Sequence, residues 1–133
     1  MLYGVHNLSV KSTEKKQVLD ITDKLGEFLP NENGLCHLFA KHTTTALTTA
    51  NLDPGTDLDL LDAFEAMMPK LNYRHPHNPG HVGSHILSSM VGTSLIIPVE
   101  DGQLVLGNWQ RVVLIDFDGP KDRQIILTFI KTE

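Results

Sequence analysis

Turn-forming residues constrain this chain more than any other feature. Asn31-Glu32-Asn33-Gly34, Asn51-Leu52-Asp53-Pro54-Gly55, Glu100-Asp101-Gly102-Gln103 and Asp118-Gly119-Pro120-Lys121-Asp122-Arg123 cut it into short pieces. Gly, Pro, Asn and Asp supply the backbone angles that turns need. Most pieces between them read as strands. Residues 1–10 alternate, with Tyr3, Val5, Leu8 and Val10 apolar. Residues 35–41 are a short apolar run, and 42–50 hold five threonines whose β-branching suits an extended chain. Further strands fall at 94–99, with Pro98 near an edge, and at 104–106, 111–117 and 124–131. That makes about seven strands.

Two main helices are expected beside them. Over 14–29, Val18, Ile21, Leu25, Phe28 and Leu29 form one apolar stripe, with Ser12 and Thr13 as candidate caps. Over 56–68, Leu58, Leu61, Ala63, Phe64 and Met67 or Met68 are the candidate buried positions, and Thr56 with Asp59 resembles a capping box. Residues 81–90 read as a third, short helix with His81 and His85 one turn apart. Strand and helix do not alternate as in βαβ units, and no GxGxxG or Walker loop is present. The expected fold is α+β and β-rich: a single domain over 1–133, with a β-sandwich, jelly-roll-like core and two main helices packed against it.

The composition, 41% hydrophobic and 20% charged, is that of a soluble globular protein. No apolar run has the length of a membrane span. No basic region followed by an apolar stretch opens the chain, so no signal peptide is expected. The one cysteine, Cys36, sits in an apolar run and reads as a buried thiol. A cytoplasmic location is the expectation. The formal charge of −5 and the lack of a Lys/Arg run argue against nucleic-acid binding.

Chemistry concentrates in residues 73–85, which hold His75, His77, His81 and His85 among Pro76, Pro79, Gly80 and Gly83. Imidazole is the commonest metal ligand, so a histidine-dense loop points to a metal ion. Asp53 and Asp57 flank the start of the second helix as candidate bases, helix-terminus charge being the plain alternative. Trp109 and Gln110 are a candidate substrate wall, though a lone Trp is more often core. Lys121 and Arg123 around the Gly119-Pro120 turn suit a phosphate, and the hydroxyls of Thr43 and Thr44 adjoin His42.

Several strings occur together: His42-Thr43-Thr44-Thr45-Ala46, Asn72-Tyr73-Arg74-His75, Ser84-His85-Ile86-Leu87-Ser88-Ser89-Met90-Val91-Gly92-Thr93-Ser94, Pro98-Val99, Leu106-Gly107-Asn108-Trp109-Gln110 and Asp118-Gly119-Pro120-Lys121-Asp122-Arg123. In this order, over nearly the full length, they resemble the YjbQ-like family, often labelled secondary thiamine-phosphate synthase. The resemblance implies a trimer and a histidine-ligated metal near a subunit boundary. It also implies a weak synthase activity joining a pyrimidine pyrophosphate to a thiazole phosphate. Matched position by position, it implies His42, His75 and His85 as metal ligands, with His77 and His81 in reserve. The chain departs from the pattern at Asn51-Leu52-Asp53, at Asp116 where Glu is frequent, and at Lys121 where Arg is usual.

Three neutral imidazoles would leave a coordination position of Zn²⁺ open, as in catalytic sites. Nickel or another first-row metal fits a histidine-only set equally, and Mg²⁺ would accompany a pyrophosphate substrate. The expectation is therefore a metal-dependent enzyme, leaning to a synthase-like transferase, acting on a phosphorylated small molecule. A phosphoester hydrolase and a non-enzymatic, metal-binding trimeric assembly protein are the alternatives.

Overall fold

The computed structural model describes residues 2–74 and 82–132. The predicted ligand His75 and the reserves His77 and His81 lie outside the described residues. Eight strands and three helices are described. Strand β1 spans Leu2–Lys11, β2 Gln17–Asp20, β3 Gly34–Ala40, β4 Thr45–Asn51, β5 Ser94–Glu100, β6 Gln103–Leu104, β7 Gln110–Asp116 and β8 Asp122–Lys131. Helix α1 spans Thr22–Gly26, α2 Thr56–Met67 and α3 Val82–Val91.

The strands form two sheets in the orders β1-β8-β3-β5-β6 and β2-β7-β4, with antiparallel pairing throughout. The expected α+β, β-rich sandwich is what the chain adopts. Its core lies between the sheets. Leu8 and Val10 of β1, Cys36 and Leu38 of β3, and Ile125, Leu127 and Phe129 of β8 face Leu47 of β4 and Val112 and Leu114 of β7. These are alternate residues, as a period of two requires. Burial pushes the Cys36 thiol up to about 12, so it packs as a small apolar group.

Strand β7 is buried on both sides. Val113 and Ile115, with Phe117 just beyond the strand, face away from the sandwich core and meet Leu61, Phe64 and Met68 of the α2 segment and Leu87 and Val91 of α3. Phe64 meets Phe117 edge-on, with ring centroids 5.9 Å apart. The molecule thus has three layers: five strands, three strands, helices. Among the described residues no helix is long and apolar enough to cross a membrane.

The expected helix over 14–29 does not form. Gln17–Asp20 pairs with Asp116–Val113 instead, and only Thr22–Gly26 is helical. Thr22 fixes the switch: its hydroxyl donates to Asp20 Oδ1 at 2.7 Å and accepts the Val112 amide at 2.8 Å. Val18 packs under the helices while Ile21 and Leu25 enter the sandwich core, so the apolar stripe serves two layers. Helix α2 buries less than expected, leaving Leu58 and Met67 more than half exposed.

Candidate functional site

At one end of the sandwich the inward rows turn from apolar to charged. Along β7 the row runs Val112, Leu114, Asp116, and along β8 it runs Phe129, Leu127, Ile125, Arg123; all seven are buried. Arg123 donates from Nε to Asp116 Oδ2 at 2.9 Å and from Nη2 to Asp116 Oδ1 at 2.7 Å. Nη2 also reaches Thr44 Oγ1 at 2.8 Å and the Asp118 carbonyl at 3.2 Å. Asp116 accepts further bonds from the Ser12 hydroxyl at 2.6 Å and the Asp118 amide at 2.9 Å. A buried ion pair is tolerable when its remaining donors and acceptors are met in this way. Burial alone would raise the Asp116 pKa, but the bonds from Arg123 and Ser12 outweigh it and hold the carboxyl below its ordinary value.

Asp118 extends the network outward. Its carboxylate accepts from Lys15 and, at 3.0 Å, from Lys121 Nζ. Burial would raise it, yet these bonds win and lower it to about 2. Gly119 is required here by close approach, since a Cβ would lie 2.3 Å from the Glu14 carbonyl oxygen and 2.5 Å from Ser12 Oγ.

In front of Arg123 opens a cleft of about 750 Å³, with Lys41, His42, Thr43, His85, Ser89 and Lys121 among its walls. Helix α3 is pinned over it. Ser88 Oγ donates to the Thr45 carbonyl at 2.6 Å, Ser84 Oγ to the Phe117 carbonyl at 3.0 Å, and His85 Nδ1 to the Thr43 carbonyl at 3.1 Å. The donation fixes the His85 proton on Nδ1.

His42 is held more tightly. Its Nε2 accepts the backbone N–H of Gln124 at 2.8 Å, and its Nδ1 lies 3.4 Å from Arg123 Nη1. Desolvation, then the Arg123 charge, lower its pKa and favour the neutral ring. The implied metal therefore does not fit His42: Nε2 is occupied by an amide hydrogen, and the neutral ring carries its own hydrogen on Nδ1.

Most of the remaining candidates fall in two places, and Asp57 in neither. His42, Thr43, Thr44, His85, Lys121 and Arg123 share this cleft. Trp109 and Gln110 stand at the opposite end of β7, separated from Asp116 by roughly 20 Å of strand. They are not a wall of this cleft. Trp109 instead shares a small hollow with Asp53, Asn51 and Arg111. Asp57 sits in the first turn of α2. Sequence reading missed Ser12 as a partner of Asp116, and missed Lys41 and Ser89 as cleft residues. For Asp116 a signal existed: it continues the inward alternation of Val112 and Leu114.

Residues 6–132 match the family described as UPF0047 protein YjbQ-like. The chain belongs to that family. A UPF0047 protein of Archaeoglobus fulgidus is 33% identical over 90% of this chain and 96% of its own length. YugU of Bacillus subtilis is 34% identical over 87% of this chain and 91% of its own. Among solved structures, a hypothetical protein of Aeropyrum pernix superposes with a TM-score of 0.88 at 30% identity, over 97% of this chain and 99% of that one. A YbjQ-like protein of Sulfolobus solfataricus, described as of unknown function, gives 0.87 at 25% identity, over 99% of each chain.

These findings correct the functional expectation. The relatives carry a family designation and no activity, neither thiamine-phosphate synthesis nor phosphoester hydrolysis. Among the described residues no group of three or more His, Cys, Asp or Glu side chains is arranged to hold a metal ion. The metal-dependent enzyme and the metal-binding assembly protein are both set aside.

Proposed function

We propose that the protein binds a small anionic molecule, carrying a phosphate or carboxylate group, through its own cations and hydroxyls in the cleft at the Arg123 end. One observation carries this reading. Of the charged side chains that line the cleft, Lys41, Lys121 and Arg123 outnumber Asp118, with Asp116 buried behind Arg123, in a chain whose net charge is −5. A local excess of cations against the overall sign focuses a field that attracts anions. Thr43, Ser89 and Thr93 add hydroxyls, while Phe39 offers an apolar surface to the organic part of a ligand. Isothermal titration with inorganic phosphate, pyrophosphate and citrate at low and high salt tests the reading. The expected result is saturable binding that weakens in salt and weakens further in Lys41→Ala. No heat from any of the three anions at low salt would contradict it.

A second observation favours self-association, a coarser reading than the trimer expected from the resemblance. On the outer face of the five-stranded sheet, register places Val5, Thr128, His37 and Ile96 in one row, with Ile126 and Phe39 beside it. Val5 is 60% exposed, Ile96 59% and Phe39 41%, and large apolar side chains exposed together on one sheet face commonly mark an interface. Light scattering on the eluting protein should give a mass above that of one chain, reduced by Ile96→Asp. A single-chain mass in the unsubstituted protein would contradict it.

A further inference from the structure

We infer that His42 is a fixed hydrogen-bond donor which, together with Arg123 Nη1, clamps one oxygen of the anion bound in the cleft. The inference rests on the anion-binding reading and names the atoms that recognise the ligand.

Strand β3 ends at the cleft. Its last residue, Ala40, pairs with Ile125 of β8. Beyond it Lys41 still donates its amide to the Gln124 carbonyl at 3.3 Å. The Gln124 amide then needs an acceptor, and the His42 ring supplies one, Nε2, at 2.8 Å. A backbone amide has a hydrogen and no available lone pair, so Nε2 can only accept. A neutral imidazole that accepts at Nε2 carries its hydrogen on Nδ1.

Nδ1 in turn faces Arg123 Nη1 at 3.4 Å. A guanidinium has no acceptor. The two nitrogens are therefore both donors, and their approach is not a hydrogen bond. Arg123 cannot swing away, because Nε and Nη2 are held by Asp116 and Thr44. Two fixed N–H groups this close are satisfied together by one acceptor within ordinary hydrogen-bond range of each. In the mouth of a cationic cleft that acceptor is an anionic oxygen, and a bond from a charged donor such as arginine to such an oxygen is among the stronger kinds. A metal cation would instead meet two hydrogens.

The imidazole nitrogen NMR spectrum of the full chain tests this, with inorganic phosphate and zinc chloride as probes. The expected free protein shows His42 with hydrogen on Nδ1 and none on Nε2. Phosphate shifts Nδ1, and zinc leaves both nitrogens where they were. Hydrogen on Nε2, or a zinc-induced shift of either nitrogen, would overturn the inference. Phosphate-induced shifts at the Lys41 and Ser89 amides with none at His42 Nδ1 would sink the clamp alone. No phosphate response anywhere in the cleft would sink the binding reading with it. His42→Phe, which removes acceptor and donor, should lose phosphate affinity by about tenfold, the scale of one hydrogen bond to a charged group. His42→Gln, whose amide offers both an oxygen and an N–H, should recover part of that loss. Equal losses in two folded variants would count against the clamp.

Discussion

Asp116 and Arg123 do two jobs with one set of bonds. They close the open end of the sandwich, and they fix the guanidinium whose remaining nitrogen lies by His42 in the cleft wall. Removing one partner of such a pair leaves a buried charge unmet, which costs about 3–5 kcal/mol. Asp116→Ala should destabilise the fold by about that amount, read as a fall in the urea midpoint. A loss well under 1 kcal/mol would mean that the pair is solvated. Asp118 gives a pH signature. Its carboxyl is held below the ordinary value, at about 2, so the folded protein binds fewer protons than the unfolded chain between those two values. Stability from this group is complete above about pH 4 and is lost as pH falls toward 2. Acid titration of Lys121→Met together with Lys15→Met, compared with the unsubstituted protein, should show this acid-side loss shrinking. An unchanged profile would remove the two lysines as its cause.

The elements show what the sequence made legible and what it hid. Strands β3, β5, β7 and β8 were readable because alternation and turn residues agree on them. Helix α3 was readable from spacing, and its serines and His85 are what seat it on β4 and the Phe117 segment. The segment 14–29 was not readable, since a stripe at helical spacing can also be shared between a strand and one short turn of helix. Only the pairing of Gln17–Asp20 with β7, nearly a hundred residues away, decides it. Candidate site residues were misgrouped for a related reason. Chain order places Trp109 and Gln110 beside β7 but does not say at which end of the strand the cleft lies. Trp109 is 76% exposed with φ +66°, on a turn held by Gln110 Oε1 accepting the Gly107 amide at 2.8 Å. Non-glycine residues adopt that conformation at a cost of about 1–2 kcal/mol. Trp109→Gly should therefore leave thermal stability equal or higher, and leave phosphate affinity within about twofold, since a change at a distant site is independent of the cleft. A large fall in affinity would place Trp109 in the site.

Across the whole molecule, layering explains where the cleft can be. The core between the sheets is sealed by apolar rows, and α2 and α3 cover one outer face. The open end where β3 stops, β4 begins and β7 runs into the Asp118 turn is left to charged and hydroxylic side chains. Of the histidines that suggested a metal, His42 and His85 line this cleft, and His75, His77 and His81 lie outside the described residues. For His42, the decisive information is a backbone amide eighty-two residues along the chain, which no motif displays. The central claim is that this end binds an oxyanion through the protein's own donors. The most direct test is an amide-resolved NMR titration of chelator-treated protein with inorganic phosphate. The account predicts saturable shifts clustered at Lys41, His42, Thr43, Ser89 and Arg123, with the Trp109 end unmoved. Shifts that appear only after a divalent metal is restored, or that cluster away from Arg123, would contradict it.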